Sequence, residues 1–275
     1  MSVLLPIREV AKPWGRDQLP APFVSPAGTR IGEIWFEPPA TLASVLVKYI
    51  FTSEKLSVQV HPTDAQAAQF GETDGGKEEC WLVIDAEPGA TLGVGFRDAI
   101  GAEAMRAAAI DGSIENLLVW YPVTAGDFFY IPAGTVHAIG AGVSLIEIQQ
   151  TSDITYRLYD YGRPRELHLD RGIAVARGEP HDPALRRHIP VRGTVELARG
   201  RYFTAHRLDG PPDAALLAEY AGPLLVIPRS GQVEIDGGPV LPGQCALAPS
   251  LADVSIPEDT LLVVARAAIS ARPKR

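Results

Sequence analysis

Three separated segments of this chain carry donors for one divalent metal ion: Gln59-Val-His61, Glu79, and His137 at the end of Gly126-Asp-Phe-Phe-Tyr-Ile-Pro-Ala-Gly-Thr-Val-His137. Two imidazoles and a carboxylate suit Zn²⁺, with other divalent ions possible; the Gln59 carbonyl adds a weak donor and leaves positions for water or substrate oxygens. A single histidine in a β-rich chain is more often a hydrogen-bonded structural or surface residue than a ligand. His168, His181, His188 and His206 lack matching partners and are read that way. For His61 and His137 the neighbouring residues reverse the balance.

Strands can bring these donors together. Side chains at i and i+2 share a face, so Gln59 and His61 point one way while Val58 and Val60 pack the other layer. Lys77, Glu79 and Trp81 obey the same parity, as do Glu147 and Gln149 against Ile146 and Ile148. Short apolar runs bounded by Gly and Pro recur along the chain, which predicts an all-β protein with a few helices. Expected strands include Ile31–Phe36, 44–50, 57–60, 79–84, Asp127–Ile131, 144–149, 224–228, Val233–Ile235 and 261–264. Helical insertions are expected near 63–70, after a Thr63 cap, and 98–110, ending at Asp111-Gly112.

The 275 residues, 46% of them hydrophobic, suffice for one large core or two smaller β-domains. A formal charge of −8 opposes a nucleic-acid or anionic-membrane surface, so an anionic ligand must meet a local basic pocket. Cys80 and Cys245 are too few for a disulfide framework, and the start of the chain lacks a signal peptide's apolar core; the reading is a cytoplasmic protein with no membrane partner. Arg, Pro and His become frequent over 171–191, marking a linker or crossing. That divides a catalytic domain, 1–170, from a degenerate metal-free repeat, 192–275.

The segment Gly126 to His137 fits the second cupin motif, a glycine, five residues, then Pro-x-Gly-x-x-His. The resemblance implies a cupin, jelly-roll-like β-barrel followed by a second, degenerate cupin-like domain. Leu56-Ser-Val-Gln-Val-His-Pro62, Gly75-Gly-Lys-Glu-Glu-Cys-Trp81 and Glu147-Ile-Gln-Gln-Thr-Ser-Asp-Ile-Thr-Tyr-Arg-Leu-Tyr-Asp-Tyr161 narrow it further. In order and spacing they resemble the type I phosphomannose isomerases, zinc enzymes that interconvert mannose 6-phosphate and fructose 6-phosphate. The resemblance covers roughly 12–170. It implies that Gln59, His61, Glu79 and His137 bind one zinc ion and that Lys77, Glu147 and Arg157 line the substrate cavity. Gln59 stands where cupins commonly have a first histidine, a departure shared by that family.

Isomerisation moves a proton between C2 and C1, so a site must stabilise an enediolate and supply a base. Glu147 is the first choice as base, and Lys77 the second, on the expectation that burial lowers its pKa. Arg157 and Arg163, six residues apart, share a face in an extended segment and suit phosphate oxygens; Ser57 can add a hydrogen bond. Tyr156, Tyr159, Tyr161 and Trp81 are either an aromatic wall for the sugar or core packing. The expected partner is a small sugar phosphate, and the chain a monomer or homodimer. Two other readings use the same donors: an Fe²⁺-dependent cupin oxygenase and a non-catalytic sugar-phosphate-binding cupin.

Overall fold

A computed structural model describes residues 3–268. Two antiparallel sheets face each other in the N-terminal part. One has seven strands, in the spatial order Arg186–His188, Asp127–Ile131, Glu79–Ala86, Val143–Gln150, Val45–Phe51, Ile31–Phe36 and Ile7–Arg16. The other has five, Tyr156–Tyr159, Val58–Val60, His137–Ile139, Thr91–Phe96 and Leu118–Pro122. Between them lies a core of Trp14, Ile50, Trp81, Val83, Leu92, Val94, Phe129 and Leu145. These sheets form the jelly-roll-like barrel.

Strands Ile31–Phe36 and Val45–Phe51 are buried at every position, because the seven-stranded sheet is covered on both faces. Val45, Val47, Tyr49 and Phe51 face outward onto Phe203, Ala205, Leu225, Ile227 and Val263 of a six-stranded C-terminal sheet. Their neighbours Lys48 and Ile50 face inward. A second, separate core lies inside the C-terminal domain, around Leu208, Tyr220, Val226, Ile235 and Val264.

Helix Asp64–Gln69 starts from a capping box, with Thr63 Oγ1 accepting from Gln66 N–H and Gln66 Oε1 accepting from Thr63 N–H. The second expected helix runs over Ala102–Asp111, not from 98, and ends at Gly112 with φ +83°. Residues 97–98 form a bend, and Ile100 N–H donates to the Gly178 carbonyl rather than within the helix. Helix Leu169–Val175, unforeseen in the sequence, joins it against the outer face of the five-stranded sheet. Tyr156, Tyr159 and Tyr161 pack in that outer layer, so they form no wall around a sugar.

The crossing segment contributes structure of its own: Arg186–His188 pairs with Asp127–Ile131 at the edge of the seven-stranded sheet. In return, strand Val3–Leu4 pairs with Ala246–Ala248 of the C-terminal sheet. Cys80 and Cys245 are buried free thiols. Among the described residues no helix is long and apolar enough to cross a membrane.

Candidate metal centre and cavity

Cross-strand register assembles the donors. His137 pairs with Gln59 on one side of strand Val58–Val60, and Arg157 pairs with Gln59 on the other, so the three side chains stand in one row on the inner face of the five-stranded sheet. On the facing sheet Gln149 pairs with Glu79, Glu147 with Trp81, and Glu147 with Lys48. His61, Glu79 and His137 are all buried, and each offers a donor atom within 4.8 Å of the others.

Both imidazoles are locked in one tautomer. His61 Nδ1–H donates to the Ile154 carbonyl at 2.7 Å, and His137 Nδ1–H to the Thr135 carbonyl at 2.9 Å. A carbonyl can only accept, so each Nε2 carries a lone pair facing the cluster. Burial and the Lys77 charge push His137 down to about 4 and hold His61 well below its ordinary range. Neutral imidazoles result.

The residues fit a zinc ion. Donors about 2.0–2.1 Å from a tetrahedral zinc stand about 3.3 Å apart. Here His61 Nε2 is 3.6 Å from Glu79 Oε2 and His137 Nε2 is 3.5 Å from Glu79 Oε1. The cluster already holds positive charge, because the Lys77 ammonium pairs with Glu79 and lies 3.1 Å from His61 Nε2. Gln59 donates its Nε2–H to His137 Nε2 at 3.3 Å and accepts from Ser57 Oγ at 3.0 Å. A half-turn of the amide presents its oxygen to the cluster, and the Ser57 hydroxyl can then accept instead.

Next to this cluster is a cavity of about 280 Å³. Ser57, Gln59, Lys77, Glu147 and Arg157, all anticipated, line it; so do Lys12, Glu33, Lys48, Arg165 and His168, which were not. Arg163 does not. The strand carrying Arg157 ends at Tyr159, and Tyr161 (φ +55°) and Gly162 (φ +76°) turn the chain, so parity no longer holds six residues on. Arg163 instead donates to the Lys55 carbonyl at 2.6 Å and pairs with Asp160 at 3.1 Å. Arg165 grips Asp160 from the cavity side, with Nε and one terminal nitrogen each 2.6 Å from a carboxylate oxygen.

Charges of alternating sign cross the inner face of the seven-stranded sheet. Lys12 lies 3.0 Å from Glu33, Glu33 3.8 Å from Lys48, Lys48 3.4 Å from Glu147 and Glu147 3.6 Å from Lys77. Trp35 donates to Glu33 at 2.6 Å and Trp81 to Glu147 at 3.0 Å. Burial opposes ionisation of Glu147, but Lys77 and Lys48 outweigh it and hold its pKa down. Burial likewise opposes the Lys77 charge, yet Glu147 and Glu79 raise its pKa, the reverse of the expectation from burial alone. Glu33 and Lys48 were detectable in sequence as lone charges inside otherwise apolar strand runs.

No family model matches the chain. Over 217 residues it is 37% identical to the mannose-6-phosphate isomerase of Streptococcus mutans, an alignment spanning 75% of this chain and 67% of that protein. The chain belongs to the mannose-6-phosphate isomerase family. Another member, ManA of Bacillus subtilis, is 44% identical over 137 residues, 48% of this chain and 43% of its own length. The fold extends further than these alignments. A mannose 6-phosphate isomerase structure from B. subtilis superposes with a TM-score of 0.76 at 23% identity, covering 96% of this chain and 99% of that one. A zinc-bound mannose 6-phosphate isomerase gives 0.73 at 13% identity, over 98% and 100%. Both superpositions show a fold shared over nearly the whole of each chain.

Proposed function

We propose that this chain is a metal-dependent aldose–ketose isomerase that interconverts mannose 6-phosphate and fructose 6-phosphate. The observation that carries the reading is the composition of the cavity. In a protein of net charge −8, five lysine and arginine side chains and three carboxylates line the space beside a His–Glu–His donor set. An anionic substrate with metal-binding oxygens suits both halves.

Gln59, His61, Glu79 and His137 would hold the ion. When bound, zinc supplies Lewis-acid stabilisation of negative charge developing on substrate oxygens. Of the two candidate bases, Glu147 enters the reaction ionised, at the cavity wall, and can take the proton from carbon; Lys77 is held protonated and serves as a fixed cation or proton donor to the enediolate oxygens. Arg157 receives the phosphate. Its guanidinium bonds the Glu166 carbonyl at 3.2 Å, and Arg165 adds a second planar cation nearby. Among the described residues, none beyond 191 lines the cavity.

A coupled assay on mannose 6-phosphate, run with chelator-stripped protein and again after zinc is restored, tests this reading. Turnover is expected only in the second condition. Metal-loaded protein that binds the sugar phosphate without turning it over would point to a binding cupin instead.

A further inference from the structure

The loop that delivers Lys77 and Glu79 to the centre is tied to one carboxylate outside it. Asp64, in the first turn of helix Asp64–Gln69, accepts through Oδ1 from Gly76 N–H at 2.9 Å and from Gln150 Nε2 at 3.0 Å. Its other oxygen accepts from the Tyr202 hydroxyl at 2.9 Å. Tyr202 precedes strand Phe203–Asp209 of the C-terminal domain. The contact therefore spans 138 residues of chain.

Packing leaves this loop little freedom. A Cβ on Gly76 would lie 2.4 Å from Asp64 N and 2.6 Å from Thr63 C, so only glycine lets the loop sit on the helix start. Lys77 N–H donates to the carbonyl of Pro62, the residue after His61. On the other side Glu78 N–H donates to Gln150 Oε1 at 2.9 Å, and the Tyr130 hydroxyl bonds the Glu78 carboxylate. The C-terminal domain closes over that pair too, since a Cβ on Gly200 would lie 2.2 Å from the Tyr130 oxygen.

We infer that Tyr202 is a positioning residue for the metal centre: through Asp64 it fixes the Gly75–Glu79 loop, giving the C-terminal domain a role in holding Lys77 and Glu79. The role rests on the proposed metal site, but its test need not rest on isomerase activity. Groups bonded directly to metal ligands typically contribute about 10–100-fold in affinity; Asp64 holds the Gly76 amide rather than a ligand and Tyr202 stands one contact beyond it, so the contribution is smaller, on the order of 3- to 10-fold.

The test is Tyr202→Phe, read by zinc competition against a chromophoric chelator and by hydrogen exchange at the Gly76 amide. The expected result is a roughly 3- to 10-fold weaker zinc affinity, with faster Gly76 exchange. If mannose 6-phosphate is turned over, kcat should fall with KM nearly unchanged, because the phosphate contacts are untouched. Tyr220→Phe, which removes a hydroxyl bonded to His206 inside the C-terminal core, is the control: it should lower thermal stability without moving zinc affinity. Wild-type zinc affinity and Gly76 exchange in Tyr202→Phe would overturn the inference, as would an equal loss of zinc affinity in Tyr220→Phe. Should Tyr202→Phe fail to fold, Asp64→Asn takes its place: weaker zinc affinity with faster Gly76 exchange supports the role, and wild-type values of both overturn it.

Discussion

Lys48 stands directly opposite Glu147 in the register of neighbouring strands, with its ammonium 3.4 Å from that carboxylate and both side chains buried. The same ammonium lies 4.0 Å from the centre of the Trp35 ring. A buried pair beside the metal donors keeps Glu147 ionised, and its removal has a stability consequence. Lys48→Met leaves Glu147 and Glu33 with one lysine each, so the expected loss is near the low end for breaking a buried pair, about 3 kcal/mol. Urea denaturation measures it; a loss below about 1 kcal/mol would show that Lys12 and Lys77 suffice.

Glu147→Gln keeps the Trp81 hydrogen bond and removes the proton acceptor. Turnover should fall by about 10²–10⁴-fold while metal content stays normal, since Glu147 is not among the donors. Wild-type turnover in a zinc-replete variant would remove Glu147 as the base.

Zinc affinity should follow the ionisation of one carboxyl. Burial and the Glu147 charge push Glu79 up to about 7 against the pull of Lys77, whereas both imidazoles are neutral well below that pH. A ligand must shed its proton to bind. Above pH 7 affinity is therefore level; below it zinc competes with one proton, and affinity falls about tenfold per pH unit down to pH 5. Calorimetry across this range reads the slope. A slope of two protons centred on the ordinary histidine value of about 6.5 would mean that the imidazoles titrate instead.

The two arginines six residues apart should behave differently. Hydrogen bonds to charged groups contribute about 1.5–3 kcal/mol, so Arg157→Lys should raise KM for mannose 6-phosphate by one to two orders of magnitude. Arg163→Lys should leave KM within about twofold and lower stability, because it breaks the bond to the Lys55 carbonyl. Equal KM effects would return Arg163 to the cavity.

Much of this site was legible because alternation along strands is strict. The pairs Gln59/His61 and Lys77/Glu79 share inner faces as their parity requires, and the turn Pro132–Gly134 delivers His137 next to Gln59. Parity failed at Arg163, where two residues of positive φ intervene. It was silent on Glu33 and Lys48, which join the cavity through cross-strand register, and on Lys12, which lies in an irregular stretch of its strand between Ala11 and Arg16; both depend on pairings distant in sequence. The link from Tyr202 to Asp64 is of the same kind. Helix Leu169–Val175 was missed because it is only seven residues long and interrupted by Gly172, so it reads as a linker until it packs beneath Leu158.

Stepwise addition of zinc to the stripped protein, with binding and turnover of mannose 6-phosphate followed in the same sample, tests the central claim most directly. The donor set at His61, Glu79 and His137 predicts that both signals rise together and stop at about one ion per chain. Turnover in the stripped protein, or a saturated site with no turnover, would contradict it.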